Sequence, residues 1–86
     1  MSAARTTAVG IRERVLAILA DELTHPGEPL DVYVAISALG ADSLDAIELT
    51  MEVESEFKIS FSDDEWFTAE MTAMQIVERV VAKVAK

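Results

Sequence analysis

The sequence contains no cysteine and only one histidine, and these absences narrow the chemistry open to it. Without cysteine the chain offers no disulfide framework, no thiolate metal site and no cysteine nucleophile. The single histidine, His25, lies in a Thr-His-Pro-Gly stretch and is most simply a solvated turn residue. A single solvated histidine is too little for most metal sites and for most sites that use a catalytic base. We therefore predict no catalytic residue, no metal ligand and no enzymatic activity.

Glycine and proline are also scarce, with three and two copies among 86 residues. Long loops should therefore be few. In addition, 51% of the residues are hydrophobic. This balance favours a compact helical protein over a disordered one, and the length suits one domain with one core. We expect a single domain over residues 1–86, of which residues 1–7 are flexible.

Basic residues are few, since seven Lys and Arg face 16 Asp and Glu, for a formal net charge of -9. Nucleic-acid binding depends on clusters of basic side chains, so no nucleic-acid partner is expected. Partner proteins should instead carry basic surfaces. The acids are densest between Asp42 and Glu70, where Lys58 alone opposes them.

No hydrophobic run is long enough to span a membrane. The longest aliphatic run, Val15 to Ala20, is far shorter than the roughly 20 residues that a spanning helix needs. The opening stretch, Met1 to Gly10, lacks the apolar centre of a signal peptide. A cytoplasmic, monomeric protein is the expectation that follows.

Apolar spacing predicts a helix near each end of the chain. Thr6 or Thr7 is the expected cap of the first helix, and the turn at Thr24 to Gly27 ends it because proline disfavours helical geometry in the preceding residue. A capping box from Thr72 to Gln75 should begin the last helix. The predicted buried residues are Ile11, Val15, Ile18, Leu19 and Leu23 in the first helix, and Ile76, Val77, Val80, Val81 and Val84 in the last.

A further helix is predicted from Ser43 to Phe57, with Asp42 as its N-cap and Asp45 in its first turn. Projection at about 100° per residue separates two apolar stripes on it. The stripe expected to face the core is Ala46, Leu49, Val53 and Phe57; the second stripe is Leu44, Ile47 and Met51, flanked by Glu48, Glu52 and Glu54. The second stripe either docks a partner or packs on a neighbouring segment, and we favour docking.

The stretch between the first two helices, Gly27 to Asp42, alternates apolar residues in the manner of a strand. No second alternating segment exists to pair with it, so a long loop packed across the helices is predicted. Later, Ser62 to Glu65 forms a capping box that should open a short helix through Trp66 and Phe67. The predicted fold is an all-α four-helix bundle, with three longer helices, one short helix and a long loop between the first and second.

Charges on the Ser43 to Phe57 helix repeat with one sign. Glu48, Glu52 and Glu56 stack at i, i+4, and each like-charge pair should cost about 0.2–0.5 kcal/mol in an exposed helix. Such a run beside an exposed apolar stripe fits a docking surface for basic proteins better than a plain solvated face. Neither acidic segment has the register of an EF-hand loop, so no specific calcium site is expected.

The stretch from Leu39 to Asp45 places the Ser43 hydroxyl at a helix start, just after a glycine-containing loop. Unpaired backbone N–H groups at such a position accommodate a phosphate readily. The Asp-Ser-Leu sequence also occurs in a family of serine hydrolases, but serine catalysis needs a base, and no histidine follows Ser43. Ser43 is therefore interpreted as an attachment point.

The segment Leu39 to Asp45, continuing through Leu49, closely resembles the attachment-site signature of acyl carrier proteins, and the resemblance extends over nearly the whole chain. It implies that a separate phosphopantetheinyl transferase esterifies Ser43 with 4′-phosphopantetheine from coenzyme A. An acyl chain then rides as a thioester on the terminal thiol for enzymes of fatty-acid, polyketide or specialised lipid synthesis. The residues that match the family's partner-docking positions are Asp42, Leu44, Asp45, Ile47, Glu48, Met51 and Glu52.

Departures from the family pattern suggest a specialised carrier. Ser37 and Ala38 replace a common acidic pair, Ala35 replaces a bulky aromatic, and the segment around Trp66 is longer than usual. Two alternatives stay open. One is a carrier-like binding or structural subunit that is never modified, and the other is an aminoacyl or peptidyl carrier.

Overall fold

The computed structural model describes residues 7–84, and three α-helices account for most of that span. No strand occurs in this part of the chain, where the only sheet-like pairing is an isolated bridge between Ala35 and Thr72. The all-α prediction is confirmed. Of the lead predicted to be flexible, residues 1–6 lie outside the described residues. The helices are α1 (Ala8–Leu23), α2 (Ser43–Phe57) and α3 (Ala73–Val84), with 3-10 helices at Ile36–Leu39 and Asp63–Glu65.

The first helix begins and ends where the sequence predicts. The Thr7 hydroxyl accepts a hydrogen bond from the Gly10 N–H at 3.0 Å, which satisfies one of the unpaired donors at the helix start. At the other end Thr24 is already extended, and its hydroxyl donates to the Ala20 carbonyl at 2.7 Å. The predicted stripe is buried as far as Leu19, while Leu23 is half-buried.

The core lies where α1 packs chiefly against α3, with α2 closing it from another side. Fully burying one Val, Leu or Ile side chain contributes about 1.5–3 kcal/mol, so these contacts dominate the packing free energy. In α3 the first turns are buried as predicted, but Val81 and Val84 are only half-buried. The largest fully buried apolar side chains are Ile11, Val15, Leu19, Ile36, Leu49, Val53, Ile76, Val77 and Val80.

The segment from Phe61 to Thr72, which we call the connector, differs from the prediction of a short helix through Trp66 and Phe67. Only one 3-10 turn forms, at Asp63–Glu65, and Trp66 is extended with φ -62° and ψ 150°. Tertiary hydrogen bonds explain the early end. The Phe67 N–H, which a continued helix would direct to the Asp63 carbonyl, donates instead to the Thr50 hydroxyl of α2 at 3.0 Å. Arg79 of α3 donates to the Glu65 carbonyl at 3.0 Å, at the last residue of the turn.

The predicted second capping box is confirmed at the end of the connector. Thr72 N–H donates to the Gln75 side chain at 2.9 Å, and Gln75 N–H donates to the Thr72 hydroxyl at 3.1 Å. These reciprocal bonds satisfy two donors that a helix start leaves without partners. They set the point at which α3 begins.

The predicted long loop between α1 and α2 is confirmed, although its middle coils into the 3-10 helix Ile36–Leu39. Ile36 is fully buried, and its N–H donates to the Met71 carbonyl at 2.9 Å. The next N–H, of Ser37, donates to the Ala69 carbonyl at 2.9 Å. The loop is therefore tied to the connector through its backbone as well as through its apolar side chains.

Within the predicted stack of repelling glutamates on α2, Glu56 also has a basic partner. Arg14 of α1 holds that carboxylate with two bonds, Nε to Oε2 at 2.9 Å and Nη2 to Oε1 at 3.3 Å. The same hydrogen bonds raise the pKa of Arg14. Glu54 is also engaged, since it accepts from the Phe61 N–H at 2.7 Å. Arg14, which is 42 residues from Glu56 in sequence, therefore offsets part of the repulsion within the stack. Burial and neighbouring charges, that of Glu56 among them, still raise the pKa of Glu52.

We predict that Glu65→Gln lowers stability at neutral pH but has a smaller effect in acid. Bonds from the Ser62 N–H, from Lys83 at 3.0 Å and from the Ser62 hydroxyl lower the pKa of Glu65 to about 2. A lowered pKa stabilises the fold above the usual value of 4.5, and this contribution is lost as the pH falls through 2. Urea unfolding of both proteins from pH 7 to pH 2 measures the difference.

The matched control is Asp63→Asn, which removes the same charge from an exposed neighbouring side chain. Its effect on the free energy of unfolding should be smaller at pH 7. A gap between wild type and Glu65→Gln that stays constant down to pH 2 would contradict the assignment.

Candidate functional site

Ser43 is the first residue of α2, and its side chain is exposed. The residue before the cap, Ala41, is 93% buried, so the chain emerges from the core only two residues before the serine. The predicted start of α2 at Ser43 and its predicted end at Phe57 are both confirmed. The serine therefore stands at the edge of a firmly packed loop.

A left-handed glycine turns the loop toward the serine. Gly40 has φ +100°, a conformation that costs an ordinary L-residue about 1–2 kcal/mol. This geometry lets the N–H of Gly40 reach the Ser37 carbonyl at 3.1 Å and the N–H of Ala41 reach the Ile36 carbonyl at 3.2 Å. The end of the 3-10 helix is thereby closed, and the approach to α2 is defined by the backbone.

Asp42 caps α2 as predicted, and it does so reciprocally with Asp45. The Asp45 N–H donates to Asp42 Oδ1 at 2.9 Å, and the Asp42 N–H donates to Asp45 Oδ2 at 3.0 Å. The bond from the Asp45 N–H is the main cause that lowers the pKa of Asp42, so this carboxylate stays charged. One correction follows: the start of α2 is not an open anion site, because its own acids already occupy the Asp42 and Asp45 donors.

The Ser43 hydroxyl has no hydrogen bond to a histidine or a carboxylate anywhere in the described part of the chain. His25 lies in the turn after α1, where its Nδ1 is 3.2 Å from Glu28 Oε1 and both side chains are largely exposed. Residues 7–84 also hold no group of three potential metal ligands. The geometry presents Ser43 as an accessible hydroxyl.

The second apolar stripe on α2 remains in contact with water. Leu44 is 60% exposed and Met51 is 51% exposed, while Ile47 is half-buried. The alternative that a neighbouring segment covers this stripe is therefore wrong for Leu44 and Met51. Exposed large apolar side chains grouped on one helix face are a feature of interaction surfaces. The stripe begins at the residue next to Ser43.

Acidic residues flank this stripe on α2, and one of them, Glu52, lies near two further acids, Asp21 and Glu22 of α1. Burial raises the pKa of Glu52, and so do the nearby charges of Glu22 and Asp21 at the end of α1. A shallow cleft of about 100 Å³ beside the Ser43 loop brings Glu22 close to Asp45. No sequence spacing reveals this cluster, because the packing of α1 beside α2 creates it. Asp42 and Glu48 are exposed and Asp45 is half-buried.

The described residues form a small all-helical fold that exposes Ser43 at a helix start, an arrangement compatible with covalent attachment of a group to its hydroxyl. The comparison with protein families agrees. A family model described as "Phosphopantetheine attachment site" matches residues 13–80, and the chain belongs to this family. No solved structure matches the chain. The match covers most of α1, all of α2 and much of α3.

Membership in the family confirms the predicted cofactor, because this domain is the site of covalent 4′-phosphopantetheine attachment. Domains of this kind are typically carriers without catalysis of their own, and they work with a phosphopantetheinyl transferase and with partner enzymes. The described residues fit such a group, since the Ser43 hydroxyl is exposed and the cap leaves it accessible. Among these residues, no helix is both long and apolar enough to cross a membrane.

We predict that Glu52→Gln raises the melting temperature at neutral pH and low salt. Because the pKa of Glu52 is raised in the folded protein, its charged form opposes folding, and neutral glutamine removes that penalty. The gap from wild type should shrink as the pH falls and Glu52 becomes protonated. Salt or divalent cations should raise the melting temperature of wild type more than that of the variant, because screening weakens the same repulsion.

Glu78→Gln is the matched control, since it removes one charge from an exposed position on α3. Thermal unfolding of the three proteins across a salt titration makes the comparison. Equal salt dependence in wild type and Glu52→Gln would show that the acids of α1 and α2 do not repel one another appreciably.

Proposed function

We propose that Ser43 is the residue that carries 4′-phosphopantetheine, and that the protein transports acyl groups as thioesters on this arm. The observation that carries the proposal is the placement of an exposed serine at the start of α2 within the matched residues. The cargo is an intermediate of fatty-acid, polyketide or specialised lipid synthesis. We further propose that residues 1–86 act as one carrier domain, monomeric and cytoplasmic.

The attached group supplies a long flexible arm that ends in a thiol. The 86 residues contain no cysteine, so the arm would carry the only thiol available for thioester exchange. The protein's own residues contribute by positioning the serine to which the arm is attached. Gly40 and the Asp42 and Asp45 cap hold the loop and helix start, while the Ser43 hydroxyl remains open to a transferase.

Partner docking is proposed for the exposed face of α2. Leu44, Ile47 and Met51 provide the apolar contact, and an acidic rim offers complementarity to basic surfaces. A single exposed ion pair contributes only about 0.2–1 kcal/mol, so such docking is weak and exchangeable. A carrier that binds several enzymes in turn requires binding that is weak and exchangeable. The rim residues are Asp42, Asp45, Glu48 and Glu52.

Two other functions are weighed against this one. A carrier-like subunit that is never modified would have no need for an exposed serine directly after a defined cap, and Ser43 has that placement. An aminoacyl or peptidyl carrier uses the same arm, but the Ala41-Asp42 sequence before the serine fits it less well. The unusual Trp66, which donates from Nε1 to the Phe61 carbonyl at 3.3 Å, supports a specialised acyl carrier.

We predict that incubation with coenzyme A and a phosphopantetheinyl transferase adds one phosphopantetheine to the wild-type protein and none to Ser43→Ala. The reason is that Ser43 supplies the oxygen of the phosphodiester bond. Intact-mass measurement followed by peptide mapping identifies the modified residue.

Ser37→Ala is the control, because it removes another exposed hydroxyl from the same loop. It should be loaded as wild type is. Failure to load wild type, under conditions that load a known carrier, would favour the unmodified subunit. A group found on another residue would overturn the assignment of Ser43.

We predict that Leu44→Asn and Met51→Gln raise the KM of the transferase for this protein by about tenfold, which corresponds to losing a contact of roughly 1.4 kcal/mol. Both side chains are more than half exposed, so their replacement should change folding stability by only about 0.5 kcal/mol. Steady-state kinetics and urea unfolding measure the two effects separately.

Tyr33→Ser provides a matched control, because Tyr33 is 80% exposed but lies on the loop between α1 and α2. Its loss should leave the KM unchanged. If all three variants raise the KM equally, the effect is not specific to α2 and the proposed docking face is wrong.

A further inference from the structure

Thr50 is the one buried polar side chain in the described part of the chain, and it is completely inaccessible to solvent. Its hydroxyl donates to the Ala46 carbonyl at 2.9 Å, within α2. The same oxygen accepts from the backbone N–H of Phe67 at 3.0 Å, so it joins α2 to the connector. A buried hydroxyl with both bonds made is a specific link, because either bond is costly to lose there.

The connector carries this link onward to the loop before Ser43. Beyond Phe67 it turns at Thr68 to Met71, where the Met71 N–H donates to the Thr68 carbonyl at 3.1 Å. The carbonyls of Ala69 and Met71 then face the loop. They accept from Ser37 and Ile36, each at 2.9 Å.

The loop completes a closed ring of bonds. The Ile36 carbonyl accepts from the Ala41 N–H at 3.2 Å, and the chain passes through the Asp42 cap to Ser43. Ser43 lies on the same helix as Thr50, two turns earlier. The ring therefore runs from Thr50 through the connector and the loop, and returns to Thr50 along α2.

We propose that Thr50 is a positioning residue for Ser43, acting through the connector on the loop that presents the serine to the transferase. This inference rests on the proposed attachment at Ser43. Thr50 touches neither the serine nor the incoming group. It sets the distance between α2 and the connector, and the connector carbonyls in turn hold Ile36 and Ser37.

Replacement by valine tests the link, because valine has nearly the shape of threonine but cannot accept a hydrogen bond. In Thr50→Val the Phe67 N–H is left buried without its partner, which weakens the hold of the connector. Backbone amide exchange at Ile36 and Ser37 should then be about tenfold faster, while exchange within α1 should change less. Thr50→Ser keeps the hydroxyl and should restore slow exchange.

Two control variants separate positioning from general destabilisation. Thr68→Val removes an exposed hydroxyl next to Phe67 and should leave exchange at Ile36 and Ser37 as in wild type. Ile18→Val trims a buried side chain of α1 that makes none of the hydrogen bonds of the ring. It should speed exchange through the protein as a whole, with no preference for the loop.

Transferase kinetics supply the second readout. Thr50→Val should raise the KM severalfold and leave kcat within about twofold, whereas Ile18→Val should leave both unchanged while the protein remains folded. Unchanged loop exchange in Thr50→Val, or loop exchange and KM changes that Ile18→Val reproduces, would overturn the inference. If wild type is not loaded at all, the proposed function fails, and the exchange data on the unmodified protein still decide whether Thr50 holds the loop.

Discussion

Two backbone hydrogen bonds, from Ile36 to Met71 and from Ser37 to Ala69, join the loop before Ser43 to the connector before α3. Residues more than 30 positions apart in sequence are thereby held in register. Ile36 is fully buried, so both its side chain and its bond to Met71 are shielded from water. The course of the loop that leads to Ser43 depends on this junction.

Electrostatics differ between two neighbouring glutamates on the side of α2 that faces α1. Arg14 holds Glu56 with two bonds, which links the two helices. Glu52, one turn earlier, lies close to Glu22 and Asp21 of α1, and burial together with their charges raises its pKa. Repulsion among the acids of this exposed surface therefore lowers the stability of the fold. An acidic surface of this kind is what basic partners require, so the cost to folding serves the proposed docking.

The connector is a segment in which local sequence patterns predict the wrong secondary structure. Ser62 and Glu65 form the hydrogen bond that a helix start needs, and the sequence predicts a helix there. Only one 3-10 turn results, because Arg79 takes the Glu65 carbonyl and Thr50 takes the Phe67 N–H. Each bond comes from a distant helix. Local propensity is a weak preference, and tertiary contacts of this strength override it.

The sequence by itself determined the end of α1, the bounds of α2, its capping residue Asp42 and the serine at its start, and it narrowed the cap of α1 to Thr6 or Thr7. These features depend on residues within one or two turns, so spacing and capping chemistry suffice to predict them. Only the tertiary structure decided which glutamates are paired, where the short helix within the connector ends and that Thr50 joins the connector to α2. Those outcomes depend on which distant groups meet when α1, α2 and α3 pack together, and no local pattern in the chain encodes that meeting.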